Sequence, residues 1–388
     1  MQFIDLQAQY QHLKTKIDKR IADVLNHGKY IMGPEVQELE QALAKYVGVK
    51  HVVTCANGTD ALSLALMVFD IKKGDAVFCP TFTFFATAEV ISFANATPVF
   101  VDSNEQTFNI CPVDLEKQIQ KVISDGKLKP KAIIAVDLFG LPANYAEIEA
   151  LAKKYDLKLI EDAAQGVMSS YKGQSLGSIG HMGTYSFHET KNVISGEGGA
   201  LLVNDSNYAE RAEIIREKGT DRSNFFRGHV DKYTWQDFGS SFLPGEIIAA
   251  FLWAQLERAN DITNSRLDIW NYYNELLEPF ERAELLKRPT IPIECQHNAH
   301  MYYLILPNRI SREMLIQDML TDGINAVFHY VPLHSSPAGK RFGEVSGSMH
   351  VTNNLSSRLL RLPLWVGLSR SQQEVVCESL ISAISKQL

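Results

Sequence analysis

The sequence predicts an α/β protein with a large domain built around a mainly parallel sheet and a smaller α+β domain after it. Between about residues 49 and 205, short apolar runs alternate with amphipathic helical stretches. This alternation favours a parallel sheet covered by helices. After Pro244 the pattern changes to long helices and then to isolated strand-like runs. We therefore expect a large domain of residues 1–250 and a small domain of residues 251–388.

Seven apolar runs of the first half are predicted as strands. They do not alternate cleanly between apolar and polar residues, as expected for strands buried on both faces. The predicted strands are His51–Ala56, Ala76–Phe82, Pro98–Asp102, Ala132–Phe139, Leu157–Asp162, Thr184–Phe187 and Ala200–Val203. The predicted helices between them are Asp60–Phe69, Thr87–Phe93, Val113–Ile123 and Tyr145–Tyr155. Together they form the expected seven-stranded sheet and its covering layers.

The second half contains fewer strands and longer helices. Its predicted helices are Tyr208–Lys218, Gly245–Leu277 with a break inside it, Arg312–Leu320 and Gln372–Lys386. Its predicted strands are His300–Leu306 and Ala326–His329. The absence of a long flexible linker predicts that the two domains pack together.

Composition narrows the functional classes. The 388 residues carry a net charge of -7 and are 45% hydrophobic and 21% charged, which is ordinary for a soluble enzyme. Nothing favours a phosphate-tracking surface for nucleic acid. No apolar run is long enough to span a bilayer, and the N-terminus lacks the apolar region of a signal peptide, so a cytoplasmic protein is expected. The five cysteines form no CxxC pair and are expected to be buried.

Three segments that follow predicted strands carry candidate chemistry, because ligands bind at the carboxyl ends of strands in such sheets. The first is Cys55–Asp60. Its Gly58 and Thr59 open a helix and suit a phosphate, since exposed N–H groups and the positive helix end attract anions. The alternative is an ordinary helix cap supplied by Thr59 or Asp60.

The second segment ends in two carboxylates, Glu161 and Asp162, directly after apolar strand residues. A carboxylate at a buried strand end needs a positive partner or takes up a proton. A protonated pyridine nitrogen is one such partner, and an ordinary ion pair with Arg or Lys is the alternative. The register of the strand, and therefore which carboxylate faces the site, stays open at this point.

The third segment places Lys191 after a strand, followed by the glycine-rich run Gly196–Gly199. Lysine forms Schiff bases when desolvation or a neighbouring cation lowers its pKa. A solvated lysine in a loop is the alternative. We assign no catalytic role to the neighbouring His188, and His329 and His334 are weak evidence for a metal site because no carboxylate motif accompanies them.

In this order and spacing, the segments resemble the sugar aminotransferases of the DegT/DnrJ/EryC1/StrS family, which have the aspartate aminotransferase-like fold and use pyridoxal 5'-phosphate. The resemblance covers essentially the whole chain. The segments that carry it are Gly28–Val36, which looks like the family's N-terminal loop, Asn57–Leu62, Pro80–Phe84, Glu161–Gln165, Ser186–Asn192 and Gly196–Gly199. The ordered set is far more specific than any single motif.

The resemblance implies a role for each matching residue. Lys191 would carry the cofactor covalently and move protons, and Asp162 would pair with the pyridine nitrogen. Gln165 would lie near the phenolic oxygen, and Phe84 would stack on the ring. The expected phosphate contacts are Gly58, Thr59 and Ser186. A lysine at position 191 also argues against the deoxygenating relatives, which carry histidine there.

The family's active sites lie at the interface of a homodimer, so at least a dimer is expected. Two positions depart from the family pattern. Ser241 stands where many relatives have an Asn that reaches the neighbouring subunit's phosphate. Asp137 stands where many relatives have His. A serine at position 241 has a shorter reach than an asparagine for that intersubunit contact.

The substrate signals are mixed. Segments of the second half, among them Phe328–His334 and Leu359–Leu364, are similar to the branch that makes dTDP-4-amino-4,6-dideoxygalactose. The first 120 residues are more similar to transaminases of UDP-linked 3-keto sugars. We expect L-glutamate as donor and C4 of dTDP-4-keto-6-deoxyglucose as acceptor, in surface polysaccharide biosynthesis such as that of lipopolysaccharide O-antigen.

Two alternatives stay open. One is a UDP-linked 3-keto or 4-keto sugar as the acceptor. The other is a regulator that keeps the fold and binds a ligand without turnover, although a binding protein would not need Lys191 together with Asp162. Arg222, Arg227 and Lys232 are possible diphosphate contacts, and a solvated basic face is the alternative.

Overall fold

Twelve strands and fourteen α-helices make up the fold, and the computed structural model describes residues 1–388. The strands are β1 (His51–Cys55), β2 (Asp75–Pro80), β3 (Thr97–Val101), β4 (Lys129–Val136), β5 (Lys158–Asp162), β6 (Ser170–Tyr171), β7 (Gln174–Ser175), β8 (Met182–Ser186), β9 (Gly199–Val203), β10 (Cys295–Gln296), β11 (Tyr302–Ile305) and β12 (Leu359–Leu362). The helices are α1 (Leu6–His27), α2 (Pro34–Val47), α3 (Gly58–Val68), α4 (Ala86–Phe93), α5 (Pro112–Asp125), α6 (Tyr145–Lys154), α7 (Ala209–Arg216), α8 (Arg222–Phe226), α9 (Glu246–Leu256), α10 (Ala259–Arg282), α11 (Arg312–Thr321), α12 (Pro337–Phe342), α13 (His350–Ser356) and α14 (Arg370–Ser385).

The predicted seven-stranded, mainly parallel sheet is confirmed. Its strands follow the order β1-β9-β8-β5-β4-β2-β3. Only β9 runs against its neighbours, since it pairs antiparallel with both β1 and β8. All seven predicted strands are present, with ends that differ by at most three residues. The carboxyl ends of β1, β5 and β8 therefore open on the same edge of the sheet.

Both faces of this sheet are buried, which explains why its strands lack a clean alternation. In β4, Ile133 belongs to a core of 37 buried residues on one face, and Ile134 belongs to a core of 27 on the other. Neither side chain is exposed. The helices that cover the two faces hold the strand ends in fixed positions.

The smaller part of the chain surrounds a third core of 24 buried residues, all between residues 269 and 384. Here β11 and β12 pair antiparallel, and β11 confirms the strand predicted at His300–Leu306. The predicted strand Ala326–His329 is wrong, because only Val327 pairs, in a single bridge to Arg361. The chain then turns, so that the ring of His329 packs against Phe82 of the larger part.

The long helical prediction Gly245–Leu277 is confirmed as two helices, α9 and α10, with a break at residues 257 and 258. Helix α9 runs across residue 250 and packs on α1 and α2. The domain boundary after residue 250 stays a prediction. None of the helices is both long and apolar enough to cross a membrane.

The N-terminal helices are fastened by polar contacts to distant parts of the chain. Helix α2 has no capping side chain of its own. Instead, the buried carboxylate of Glu246 accepts hydrogen bonds from the N–H groups of Gly33, Glu35 and Val36, at 2.7, 2.9 and 3.2 Å. Only residues 28–33 of the predicted N-terminal loop are therefore a loop, because α2 begins at Pro34.

Candidate active site

All seven predicted site residues line one cleft of about 730 Å³ at the carboxyl edge of the large sheet. They are Gly58, Thr59, Phe84, Asp162, Gln165, Ser186 and Lys191. The remaining walls come from the N-terminal segment through Phe3 and from the smaller part of the chain through His329, Tyr330 and Arg361. The cleft thus lies where the two parts of the chain meet.

Asp162 ends β5 and points into the cleft, which answers the question of register left open by the sequence. Its Oδ2 accepts a hydrogen bond from Thr87 Oγ1 at 2.9 Å, and its Oδ1 accepts one from the N–H of Ala164 at 3.2 Å. Burial raises the pKa of this carboxyl, while Thr87, Ala164 and the charge of Lys191 act against the rise. No ion pair neutralises Asp162, so the cleft holds a buried carboxylate suited to a cationic ligand.

Glu161 points the other way, into the core, because successive strand residues face opposite sides. Its Oε2 accepts a hydrogen bond from the N–H of Ile179 at 2.7 Å. Asp137 is equally buried and accepts hydrogen bonds from Tyr145 Oη at 2.8 Å and from the N–H of Ala143 at 3.1 Å. The second oxygen of each group, Asp137 Oδ2 and Glu161 Oε1, has no hydrogen-bond partner. The two carboxyl groups are close enough to affect each other's pKa.

Burial raises the pKa of Asp137 to about 8, and burial together with the charge of Asp137 raises the pKa of Glu161 well above its usual range. Two buried carboxyl groups in contact are stable when one of them keeps its proton. Asp137 and Glu161 are therefore a pair of buried carboxyl groups with raised pKa values behind the cleft, distinct from the carboxylate of Asp162.

The first turn of α3 forms one end of the cleft. Asn57 caps this helix by accepting a hydrogen bond from the N–H of Asp60 at 2.8 Å, so the alternative cap at Thr59 or Asp60 is wrong. A Cβ at position 58 would lie 2.6 Å from the Cβ of Ser186. Glycine at this position therefore lets the start of α3 approach the end of β8, where Thr59 and Ser186 supply two hydroxyl groups.

Lys191 lies in the loop after β8, which is held by the hydrogen bond from the N–H of Ser195 to the carbonyl of Phe187 at 2.7 Å. Burial, with a smaller contribution from the charge of Arg361, lowers the pKa of Lys191 to about 8 against the opposing effects of Asp162 and Glu197. Near neutral pH a far larger fraction of this amine is unprotonated than in an ordinary exposed lysine, and the amine lines the cleft. That state is the nucleophilic one.

Two further side chains, Gln165 and Phe84, line the cleft that contains Asp162 and Lys191. Gln165 is fixed at both ends of its amide, since Oε1 accepts from the N–H of Phe139 at 2.7 Å and Nε2 donates to Tyr330 Oη at 3.2 Å. The ring of Phe84 is 43% exposed and lies 6.0 Å from the ring of Tyr330, centre to centre. Phe84 thus offers an open aromatic face to a planar ligand.

Sequence reasoning missed several lining residues, chiefly Thr87, Tyr330 and Arg361. Arg361 had a readable signal, because it is a lone charge in the apolar run Leu359–Leu364. No sequence signal marked Thr87, because its role depends on a hydrogen bond to Asp162, which is 75 residues away in the sequence.

The basic candidates Arg222 and Arg227 lie outside this cleft. Each forms an ion pair with a glutamate near the end of α7 or just after it: Arg222 with Glu217 at 3.2 Å and Arg227 with Glu213 at 2.6 Å. Lys232 is exposed. Nothing in the structure supports a contact of these residues with a diphosphate bound in the cleft of the same subunit. The alternative, a solvated basic face, agrees better with their ion pairs and exposure.

Comparison with known proteins agrees with this geometry. The model of the DegT/DnrJ/EryC1/StrS aminotransferase family matches residues 11–381. A relative from Geobacillus stearothermophilus named "Pleiotropic regulatory protein" is 33% identical over 97% of this chain and 96% of its own. UDP-2-acetamido-2-deoxy-3-oxo-D-glucuronate aminotransferase of Pseudomonas aeruginosa is 32% identical over 98% and 99%. dTDP-3-amino-3,6-dideoxy-alpha-D-galactopyranose transaminase of Aneurinibacillus thermoaerophilus is 32% identical over 97% and 98%.

Among solved structures, the crystal structure of a family aminotransferase from Brucella abortus superposes with a TM-score of 0.91 at 37% identity, covering 98% of this chain and 99% of that one. The match extends over both parts of the fold and therefore includes the cleft between them. Family, relatives and fold agree along the whole length of the sequence. The chain belongs to the DegT/DnrJ/EryC1/StrS aminotransferase family and is a pyridoxal phosphate-dependent sugar aminotransferase.

Proposed function

We propose that the protein transfers an amino group from L-glutamate to the keto carbon of a nucleotide-linked sugar. One observation carries this proposal. The cleft holds a lysine whose pKa is lowered to about 8 together with a buried carboxylate, Asp162, that has no cationic partner in hydrogen-bonding contact. A binding site alone needs neither group, whereas amino transfer needs both a nucleophilic amine and a fixed negative charge.

The residues of the cleft fit pyridoxal phosphate. The N–H groups at the start of α3, with the hydroxyls of Thr59 and Ser186, suit the phosphate, because a helix N-terminus attracts anions. Gly58 keeps this end open to a close approach. Asp162 suits a protonated ring nitrogen, and Phe84 offers its face to the ring. The amide of Gln165 would lie beside the ring's phenolic oxygen.

When bound, the cofactor supplies an electron sink for the pair released at the amino acid's α-carbon. The protein supplies charge, orientation and proton transfer. Asp162, held by Thr87 and the N–H of Ala164, keeps a proton on the ring nitrogen. With the cofactor bound, the Nζ of Lys191 would act as the base that takes the proton from the donor's α-carbon and delivers it to the cofactor carbon on the other side of the amino nitrogen. Its lowered pKa suits a base that works near neutral pH.

For the acceptor we propose dTDP-4-keto-6-deoxyglucose, aminated at C4, in the synthesis of a surface polysaccharide. The segments Phe328–His334 and Leu359–Leu364, which are similar to the branch that makes dTDP-4-amino-4,6-dideoxygalactose, support this choice. Both supply residues to the cleft wall. A UDP-linked 3-keto sugar is the second candidate. It is supported by the Pseudomonas aeruginosa relative, whose name specifies a UDP-linked 3-oxo sugar.

We also propose a homodimer whose partner completes the cleft. Its support is a group of exposed aromatic side chains around the segment after α8, with Phe226, Trp235 and Phe238 exposed by 67%, 75% and 79%. Ser241 lies beside this segment and is exposed, so it is available to a neighbouring subunit. Burial of such aromatic surface favours association.

The test follows the visible absorption of the purified protein with pyridoxal phosphate. L-Glutamate is expected to bleach the band of the lysine-bound cofactor, and dTDP-4-keto-6-deoxyglucose is expected to restore it. Restoration only by UDP-linked 3-keto sugars would keep the chemistry and replace the substrate. The Lys191→Ala variant should show no such band, while Lys153→Ala, which changes an exposed lysine of α6, should behave as the unmodified protein.

A regulator that binds without turnover is the alternative from another class, and the name of the Geobacillus relative gives it some support. Such a protein would not exchange its amino group with L-glutamate. A normal cofactor spectrum that L-glutamate leaves unchanged would therefore favour the regulator and contradict the proposed transfer.

A further inference from the structure

Asn192 follows Lys191 directly and joins three separate parts of the chain. It is 2% exposed. Its side-chain Nδ2 donates to the carbonyl of Asn298 at 2.8 Å, and its Oδ1 lies 3.1 Å from His300 Nδ1. Its own carbonyl accepts a hydrogen bond from Gln9 Nε2 of α1 at 3.0 Å. The residue next to the lysine is therefore bound to the segment before β11 and to the N-terminal helix.

The direction of the Asn192 amide follows from its partners. A carbonyl oxygen only accepts, so the amide nitrogen faces Asn298 and the amide oxygen is left to face His300. Nδ1 of His300 must therefore carry a proton and donate it. Burial, with smaller contributions from neighbouring positive charges, lowers the pKa of His300 well below its usual range. The ring is thus neutral, and the contact persists through the neutral pH range.

Asn298 extends the connection to the loop after β5. This residue is fully buried, and its Nδ2 donates to the carbonyls of Gln165 and Val167, both at 2.7 Å. Gln165 follows Asp162 by three residues. Asn192 and Asn298 together therefore connect the lysine-bearing loop with the loop that begins at Asp162.

The side chain of Lys191 itself has no such restraint. Its pKa depends on burial, then on the charges of Asp162, Arg361 and Glu197, and no hydrogen bond to Nζ contributes. A lysine amine sits on a flexible four-carbon stem. The backbone of the loop thus decides which positions Nζ can reach, and Asn192 is the neighbour that ties this backbone to the rest of the fold.

We propose that Asn192 is a positioning residue, which keeps Lys191 directed into the cleft by holding its loop against α1 and the segment before β11. This inference rests on the proposed function. Proton transfer requires the reacting atoms to lie within about 3–3.5 Å of each other, so a flexible lysine works well only on a fixed backbone. Without the contacts of Asn192, Lys191 would still be present, but its Nζ would spend less time in the buried position near Asp162.

The first test measures the position of Lys191 without turnover. In the full-length, cofactor-free protein, labelling of Lys191 by acetic anhydride is followed against pH by mass spectrometry of the peptide that contains it. The unmodified protein should give a midpoint near pH 8, because burial lowers the pKa of this amine to about 8. In Asn192→Ala the midpoint should rise by about one pH unit toward the usual lysine value, since a released amine is better solvated.

The groups that act on Lys191 are the same in this variant as in the unmodified protein. The three charges named above are retained. The two histidines that also face the lysine, His300 and His329, are neutral because burial lowers the pKa of each well below its usual range. A raised midpoint in Asn192→Ala would therefore report a changed position of Lys191 rather than the loss or gain of a neighbouring charge.

The second test uses the half-reaction of the protein with bound pyridoxal phosphate. Asn192→Ala should lower the saturating rate with L-glutamate by about 10- to 100-fold, because misplacing a reacting group by about 1 Å has a cost of this order. The half-saturating concentration of L-glutamate should change by less than about threefold, since the variant displaces a proton-transfer group rather than a binding contact. Rapid-mixing absorbance measurements give both quantities.

Gln373→Ala is the matched control. Gln373 of α14 is 1% exposed, and its Nε2 donates to the carbonyl of Ile269 at 2.7 Å, outside the cleft. This variant also loses a buried amide that binds a backbone carbonyl, so its resistance to urea should fall as that of Asn192→Ala does. Its labelling midpoint at Lys191 and its saturating rate should stay those of the unmodified protein.

Gln9→Leu acts on the same residue from the side of α1, because it removes the donor to the carbonyl of Asn192. We expect changes in the same direction that are smaller than in Asn192→Ala, and this variant keeps the test decisive if Asn192→Ala does not fold. An unmoved labelling midpoint or a normal saturating rate in Asn192→Ala would overturn the inference, as would equal changes in Gln373→Ala. A failure of the unmodified protein to react with L-glutamate would instead reject the proposed function, while the labelling midpoints would still test the position of Lys191.

Discussion

Glu161 and Asp162 are neighbours with the same functional group, yet they end β5 in opposite environments. Asp162 faces the cleft, where Thr87 and the N–H of Ala164 hold it as an acceptor for a cation. Glu161 faces the core, where burial and the neighbouring Asp137 raise its pKa well above the usual range. The comparison teaches that the side of the sheet, rather than the position in a motif, decides whether a buried carboxyl group serves chemistry or structure.

The largest expected effect is on the cleft side. Asp162→Asn removes the fixed negative charge, and we expect the half-reaction with L-glutamate to slow by about 100- to 1,000-fold, as when an active site loses an electrostatic contact to developing charge. Rapid-mixing absorbance measurements check this. Asp268→Asn, at an exposed residue of α10, is the matched control and should react normally. A near-normal rate in Asp162→Asn would contradict the proposed role of Asp162 in the half-reaction.

The next effect is on the core side and concerns stability. Glu161→Ala leaves a cavity and an unpaired N–H at Ile179, so we expect the free energy of unfolding to fall by about 2–4 kcal/mol. Urea denaturation of the cofactor-free protein measures this loss. The half-reaction of the folded variant should stay within about threefold of normal. If it instead fell as far as in Asp162→Asn, Glu161 would belong to the chemistry.

A pH dependence sharpens the contrast further. An aspartate of the unfolded chain has a pKa near 4, whereas burial raises that of Asp137 to about 8. Between these values Asp137 holds more proton in the folded chain than in the unfolded one, so its contribution to stability falls as pH rises, by up to about 1.4 kcal/mol per pH unit. Asp137→Asn removes this contribution, so stability should fall less steeply, or rise more steeply, with pH between pH 5 and 7.5 than in the unmodified protein. An unchanged slope, measured by urea denaturation at several pH values, would contradict the raised pKa of Asp137.

The smallest expected effect tests what orients Asp162. Thr87→Val removes one hydrogen bond of 2.9 Å while nearly keeping the side chain's shape. The remaining contact with the N–H of Ala164 should hold the carboxylate approximately in place. We expect a rate about 3- to 10-fold lower, as for one neutral hydrogen bond. No change at all would indicate that Thr87 fills space without directing Asp162.

Much of the large sheet was predictable because its strands are short, apolar and separated by helices with clear periodicity. The same rule failed at Ala326–His329, where an apolar and aromatic composition resembles a strand. There the chain leaves its single bridge at Val327 so that His329 can pack against Phe82. Tertiary contacts, which local patterns do not contain, decided the conformation.

The part of the site that lies at the strand ends of the large sheet was predictable from the sequence. Asp162 ends one strand of the sheet and Lys191 lies in the loop after another, and the parallel arrangement brings these strand ends to the same edge. Arg361 belongs to a different part of the fold, and nothing in its own strand shows that it faces Lys191. The contact of Thr87 with Asp162 likewise depends on how α4 packs. Residues contributed across large sequence distances are those that sequence reasoning missed.

The cap on α2 has a consequence for how the chain acquires its structure during synthesis. The carboxylate that satisfies the N–H groups of Gly33, Glu35 and Val36 belongs to Glu246, more than 200 residues later. A ribosome releases that residue only after the whole large sheet has emerged. The N-terminus of α2 is therefore incompletely capped until Glu246 has emerged. The second helix to be synthesised is completed only by a residue from the second half of the sequence.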